Sequence, residues 1–151
     1  EHLKKQSFDP VDLEPMSDEP DEWQLVAVGV SRNCEMYTDA SDDKDGANPC
    51  RDAKIFAEFA TLVCFCSEPV VFAIELESEP EGDQVVLLQK GLREALNTAA
   101  QRMKEKNIKK MMVYYGGHGE SIDAKRTVSL ELGLVLEDEV VRAVELADLE
   151  C

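Results

Sequence analysis

Three short runs of almost uninterrupted apolar residues constrain this chain most. They are WQLVAVGV (residues 23–30), PVVFAIEL (69–76) and IKKMMVYYGG (108–117). Runs this short, rich in β-branched residues and without a polar alternate face, suit strands covered on both sides, as in a parallel sheet. Two stretches of helical period lie between them. In PCRDAKIFAEFATLVC, Asn48 can cap, Pro49 suits the first turn, and Ala53, Phe56, Ala57, Ala60 and Val63 recur at helical spacing. In QVVLLQKGLREALNTAAQRMKEK, Leu88, Leu92, Leu96, Ala99 and Met103 step by three or four, after an extended start at Val85 and Val86, and Asn107 ends the helix. The order β-α-β-α-β predicts a parallel sheet with right-handed crossovers and helices on its faces.

The flanks read differently. Residues 1–22 carry Pro10, Pro15 and Pro20 among clustered acids and read as an acidic, proline-containing arm or linker, with the domain running from 23 to 151. Residues 31–48 read as a long polar loop. After the third run, RTVSLELGLVLEDEV alternates enough for an extended segment or a hairpin about Gly133. The pattern of VVRAVELADLEC fits either a helix or a strand.

Charge narrows the partners. The chain has 32 acidic and 16 basic residues, a formal net charge of -16. Such a field repels phosphate backbones and anionic lipid, so neither nucleic acid nor a membrane surface is expected, whereas a basic peptide or protein substrate is attracted. No apolar run reaches the ~20 residues of a membrane span. The five cysteines, Cys34, Cys50, Cys64, Cys66 and Cys151, are odd in number and contain no CxxC pair. That pattern points away from a zinc site and towards a reducing compartment such as the cytoplasm. Cys64 and Cys66 follow an apolar helix and read as core residues. Cys50 reads the same way, although a helix start can lower a thiol pKa. Cys34 falls in the polar loop, with nothing to bring His118 beside it.

The chemistry-bearing stretch is MMVYYGGHGE, residues 111–120. Functional groups in parallel sheets gather just beyond the carboxyl ends of strands, and His118 falls there, three residues after Tyr115. An imidazole can take a proton and return it near neutral pH. Gly116, Gly117 and Gly119 leave room for substrate and free amides for an oxyanion.

This stretch resembles the histidine motif of caspase-like cysteine peptidases, the group of caspases, paracaspases and metacaspases. Three further stretches agree in order and spacing. LVAVGVSRN is similar to the family's first strand. ANPCRDAKIFAEFAT is similar to its first helix, with the entry Asn48, Pro49, Asp52 and Ala53. LLQKGLREALNTAAQRMKEKN is similar to the helix before the histidine strand. The resemblance covers residues 23–122 and extends more loosely to the end, where RAVELADLE resembles the start of a later helix. It implies a three-layer caspase-like α/β sandwich, mostly parallel, with helices on both faces. It implies peptide-bond hydrolysis by a Cys-His dyad. His118 would be the acid–base residue and the Gly119 amide an oxyanion donor. Arg32 or Asn33 would line the substrate pocket. The net negative charge favours Arg or Lys over Asp at the cleaved position, as in metacaspases and paracaspases.

Two departures from the family pattern stand out. Gly117 replaces the serine common before the histidine. The nucleophile lacks its expected context: in caspases it lies about 50 residues after the histidine. Cys151 is the one cysteine downstream of His118, and its approach, VELADLEC, carries Glu145, Asp148 and Glu150 and makes a poor buried strand. The expectation is a domain cut, in this chain, before its catalytic cysteine. Cys151 as nucleophile, and a relative lacking the cysteine altogether, stay open.

No cofactor is called for. SDDKDG, residues 41–46, has oxygen side chains at alternate positions, which makes Asp43 and Asp45 calcium candidates, and metacaspases supply a family precedent. Asp52 stands where a bidentate Glu belongs and Pro49 interrupts, so an acidic solvated loop is the plainer reading. Two other classes of function compete with the peptidase. One is a non-catalytic caspase-like module that binds or regulates. The other is a doubly wound domain for a small molecule or phosphate, which the acidic charge and the missing GxGxxG disfavour.

Overall fold

The structure, a computed structural model, describes residues 22–32, 48–63, 65–77, 80–117, 119–121, 128–130 and 133–149. The elements in chain order are β1 (Trp23–Arg32), α1 (Pro49–Leu62), β2 (Val70–Leu76), α2 (Asp83–Lys106), β3 (Lys110–Gly116), β4 (Gly119–Ser121), β5 (Val128–Leu130) and α3 (Leu136–Leu146).

The three apolar runs form one parallel sheet in the order β2-β1-β3, with Val26 opposite both Val70 and Val113. β1 takes the centre and is buried throughout residues 24–30. Its alternate residues feed two separate cores. Leu25 and Ala27 pack with Ala53, Ala57, Ala60 and Cys66 on the α1 side. Val26, Val28 and Val30 pack with Leu88, Leu92, Leu96, Ala99 and Ala100 of α2 and Ala143 of α3 on the other. The chain leaves β1 towards β2, then passes back over β1 to β3. Two crossovers of one hand that run in opposite directions must cover opposite faces, and α1 and α2 do so.

The helix boundaries follow from local chemistry. The Asn48 side chain accepts the Arg51 N–H, Pro49 occupies the first turn, and Asn107 closes α2 in the left-handed conformation at φ 56°. Ala53, Ala57 and Ala60 are buried, as their spacing predicts, and so are Leu88, Leu92, Leu96, Ala99 and Met103. Their small size lets α1 sit close to the sheet. Phe56 stacks on Tyr114 of β3 at 4.8 Å between ring centroids.

Several expectations are corrected. Val63 is 50% exposed, because it lies past the last turn of α1. Val85 and Val86 begin α2 instead of preceding it as an extended piece, since the helix starts at Asp83 and Leu88 needs that turn to face the core. Ser31 and Arg32 continue β1 through their pairing with Glu75 and Leu76 and are not loop. β2 is not covered on both sides: it is an edge strand of the described sheet, with Val71 41% exposed. Gly133 does not turn a hairpin. β5 pairs antiparallel with β4, Gly119 opposite Leu130, and the chain continues past Gly133 into α3. α3 settles the undecided last segment as a helix.

Among the described residues, no helix is long and apolar enough to cross a membrane.

Candidate functional site at the carboxyl edge of the sheet

β1 and β3 stay in register up to Gly29 opposite Gly116, while β1 stays paired with β2 as far as Arg32 opposite Leu76. Residues 30–32 of β1 therefore have β2 on one side and no β3 partner on the other. The chain leaves β1 towards α1 on one face, and after β3 it returns to α3 on the opposite face. Connections that diverge in this way from adjacent strands open a crevice beyond their carboxyl ends.

Glycines stand at the adjoining ends of the two strands. Gly29 and Gly116 are neighbours on the α1 side of the sheet, and Pro49 lies against both. A Cβ on Gly29 would stand 2.3 Å from the Pro49 carbonyl oxygen and 2.8 Å from Cys50 Cα. A Cβ on Gly116 would stand 3.3 Å from Pro49 Cβ. The start of α1 can thus rest directly on the strand ends. Gly117 follows at φ 152°, a conformation that favours glycine, with the Tyr115 hydroxyl 2.8 Å and the Val30 carbonyl oxygen 3.2 Å from where its Cβ would be.

The start of α1 is tied to β1 by side chains. Ser31 Oγ accepts the Cys50 N–H at 3.0 Å and donates to Asn48 Oδ1 at 3.2 Å. Asn48 Oδ1 accepts the Arg51 N–H at 3.0 Å, and the Asn48 carbonyl accepts the Asp52 N–H at 2.9 Å. Pro49 has no N–H to offer. The first-turn amides that would grip a phosphate are therefore committed within the protein, which removes the usual means by which a helix start binds one.

Both described thiols are sealed off. Cys50 is 3% exposed, and its Sγ donates to the Ile74 carbonyl at 2.9 Å and the Gly29 carbonyl at 3.3 Å. Cys66 is 1% exposed, and its Sγ accepts the Leu25 N–H at 3.4 Å. A thiol held between two strand carbonyls cannot approach a substrate, so the core reading of Cys50 and Cys66 stands.

Of the residues singled out from sequence, Gly119 opens β4 and Arg32 closes β1. His118, Asn33, Asp43, Asp45, Cys34, Cys64 and Cys151 lie outside the described residues. The positions flanking His118 are described: Gly117 sits against Val30 of β1, and Gly119 pairs with β5. Among the described residues, no three His, Cys, Asp or Glu side chains are grouped to hold a metal ion. Sequence reasoning did not single out Ser31 as the clamp between β1 and α1. Its signal is faint, a serine directly after an apolar run, and its partner Asn48 is 17 positions away.

Comparisons with protein-family models, with curated proteins and with solved structures give no match for this chain.

Proposed function

We propose that this chain is the histidine-bearing part of a cysteine endopeptidase of the caspase-like type, with the three-layer sandwich of that family. One observation carries the reading. The Gly116–Gly117 turn ends β3 beside the end of β1, where the connections diverge, and His118 is the next residue in the chain. A glycine-backed strand end in a sheet crevice is where an acid–base histidine has both a fixed backbone and room for substrate.

In the proposed reaction a cysteine thiolate attacks the carbonyl carbon of the scissile peptide bond. The oxyanion of the tetrahedral intermediate accepts the Gly119 N–H. His118 gives a proton to the departing amine, leaving a thioester. It then takes a proton from water, which attacks the thioester and frees the thiol. The nucleophile is Cys151 or a cysteine outside this chain. The net charge of -16 supports a substrate that is basic at or near the cleaved bond.

A second reading has its own support. Cys50 and Cys66 are both buried and hydrogen-bonded inside the fold, so neither can serve as nucleophile. If Cys151 is inert too, the chain acts as a non-catalytic module that binds peptides through the same crevice.

One experiment separates the two. The longest natural form of the protein is assayed on peptides with Arg, Lys or Asp at the cleaved position, with and without calcium, beside its His118→Ala variant. The peptidase reading expects turnover that the variant loses while keeping its fold. It also expects a peptide alkylating agent to label Cys151 or a later cysteine. Turnover that survives His118→Ala would refute the role of His118. Peptide binding without turnover or labelling would establish the non-catalytic module.

A further inference from the structure

The first turn of α1 touches all three strands of the parallel sheet. A Cβ on Gly29 of β1 would stand 2.3 Å from the Pro49 carbonyl oxygen, and one on Gly116 of β3 would stand 3.3 Å from Pro49 Cβ. Cys50 Sγ donates to the Ile74 carbonyl of β2 at 2.9 Å. The helix backbone itself arrives at the strand ends, which glycine at both permits.

One hydroxyl sets how that turn sits. Ser31 Oγ accepts the Cys50 N–H at 3.0 Å and donates to Asn48 Oδ1 at 3.2 Å, so it holds the residues on either side of Pro49. Ser31 is half-buried. Without its hydroxyl the Cys50 N–H would lose its acceptor, because no preceding turn of helix offers a carbonyl to a first-turn amide. Asn48 Oδ1 also accepts the Arg51 N–H, so the cap of α1 and the end of β1 share one oxygen.

The other side of Pro49 bears on the segment that leads to His118. Gly116 lies against Pro49, and Gly117 follows at φ 152° with the Tyr115 hydroxyl and the Val30 carbonyl oxygen beside it. Two glycines in succession have no side chains to fix them, so their position depends on what packs against them. Here that is Pro49 from α1 and Val30 from β1. Val30 directly precedes Ser31. The strand residue beside Gly117 and the proline against Gly116 are therefore tied together through a single side chain.

We propose that Ser31 is a positioning residue for His118. Its hydroxyl seats residues 48–50 on β1, Pro49 braces Gly116, and the brace fixes the turn that delivers the histidine two positions later. The inference rests on the acid–base role proposed for His118.

The test uses the longest natural form of the protein, its Ser31→Ala and Ser31→Thr variants, and Glu139→Gln on the opposite face of the sheet as a control for lost stability. On the peptide that the wild type turns over fastest, Ser31→Ala should lower kcat about tenfold and change KM less than about twofold. Ser31→Thr keeps the hydroxyl and should recover most of kcat, and Glu139→Gln should match the wild type. In NMR spectra of Ser31→Ala, the Cys50 amide should exchange about tenfold faster, and the amide signals of Gly116, Gly117 and His118 should shift. In Ser31→Thr they should stay near their wild-type positions. A Ser31→Ala protein with wild-type kcat, or with the Gly116 and Gly117 signals unmoved, would overturn the proposal. So would an equal loss of kcat in Glu139→Gln, since lost stability would then explain both. If Ser31→Ala does not fold, Asn48→Ser takes its place, because it keeps a capping residue and removes the Oδ1 that accepts the Ser31 hydroxyl. Its kcat should fall too, and an unchanged kcat would overturn the proposal. A wild type without turnover refutes the peptidase reading instead, and the brace then stands or falls on the Gly116 and Gly117 signals.

Discussion

Arg93 on α2 meets Glu139 on α3 through two parallel hydrogen bonds, Nε to Oε2 at 2.8 Å and Nη2 to Oε1 at 3.0 Å. The pair spans 46 residues of sequence and links the two helices. Glu139 is 9% exposed in the first turn of α3, while the Arg93 side chain is 37% exposed. The guanidinium holds the Glu139 carboxyl below its ordinary value of 4.5, and the carboxylate raises that of Arg93. Glu139→Gln should cost about 1–2 kcal/mol, at the lower part of the range for charged hydrogen bonds because Arg93 is partly in water. Denaturant titration checks the magnitude. Exchange at residues 136–146 checks that α3 loosens before the sheet.

The same pair sets an acid limit. A carboxylate whose pKa is depressed on folding stabilises the fold fully above its unfolded value, about 4.5, and loses that contribution as pH falls through the folded value. The docking of α3 should therefore weaken below about pH 4.5, and the Glu139→Gln variant should lack this component. Melting temperatures of both proteins between pH 3 and 7 test the sign. A difference between them that persists unchanged to pH 3 would contradict it.

Gly29 faces Pro49 and Cys50 at the closest approach of a helix to the sheet. A methyl there would meet the Pro49 carbonyl oxygen at 2.3 Å, and that atom is backbone that cannot swing aside. Gly29→Ala should cost about 3 kcal/mol, at the upper end of ordinary overpacking. It should also release the Ser31 bond to the Cys50 N–H, which the same close approach permits. Loss of amide protection at residues 50–52, together with the change in stability, is the measurement.

Residues 23–30, 49–62, 88–103 and 111–116 could be assigned from sequence because each has one dominant period. The apolar strands have no polar face to confuse them, and the two long helices carry their apolar residues at intervals of three and four. The ends were harder. Val85 and Val86 favour strands, but their place one turn before Leu88 decides the matter through packing. In α3, Leu136, Val140, Ala143 and Ala147 face the core, yet Val141 and Leu146, 48% and 66% exposed, blur that stripe in the sequence. The β4–β5 pairing joins residues on either side of six intervening positions, and the turn signal at Gly133 pointed elsewhere. At the crevice, the glycines and the strand end were legible. The bonds linking Ser31, Asn48 and Cys50 were not, since they depend on how strand and helix ends meet in space.

Cys50 and Cys66 should resist alkylation in the native protein. Each reaches reagent only when the sheet or the start of α1 opens, so their labelling should be about 10³-fold slower than after denaturation. Peptide mapping with iodoacetamide distinguishes these two positions from the other three cysteines. Rapid native labelling of Cys50 would mean that its bonds to Ile74 and Gly29 do not hold in solution, and would reopen it as a reactive thiol.

Gly117→Ala combines two separable penalties next to His118. One is conformational: φ of 152° is costly for any residue with a Cβ. The other is contact, because that Cβ would stand 2.8 Å from the Tyr115 hydroxyl. Together they should destabilise the fold by about 2–3 kcal/mol. Tyr115→Phe removes the oxygen but not the backbone demand. In a double-mutant cycle, Gly117→Ala in the Tyr115→Phe background should therefore cost about 1 kcal/mol less than in the wild type. A coupling of zero would mean that the Tyr115 hydroxyl moves away freely. The rigidity of the turn before His118 would then rest on the glycine backbone alone.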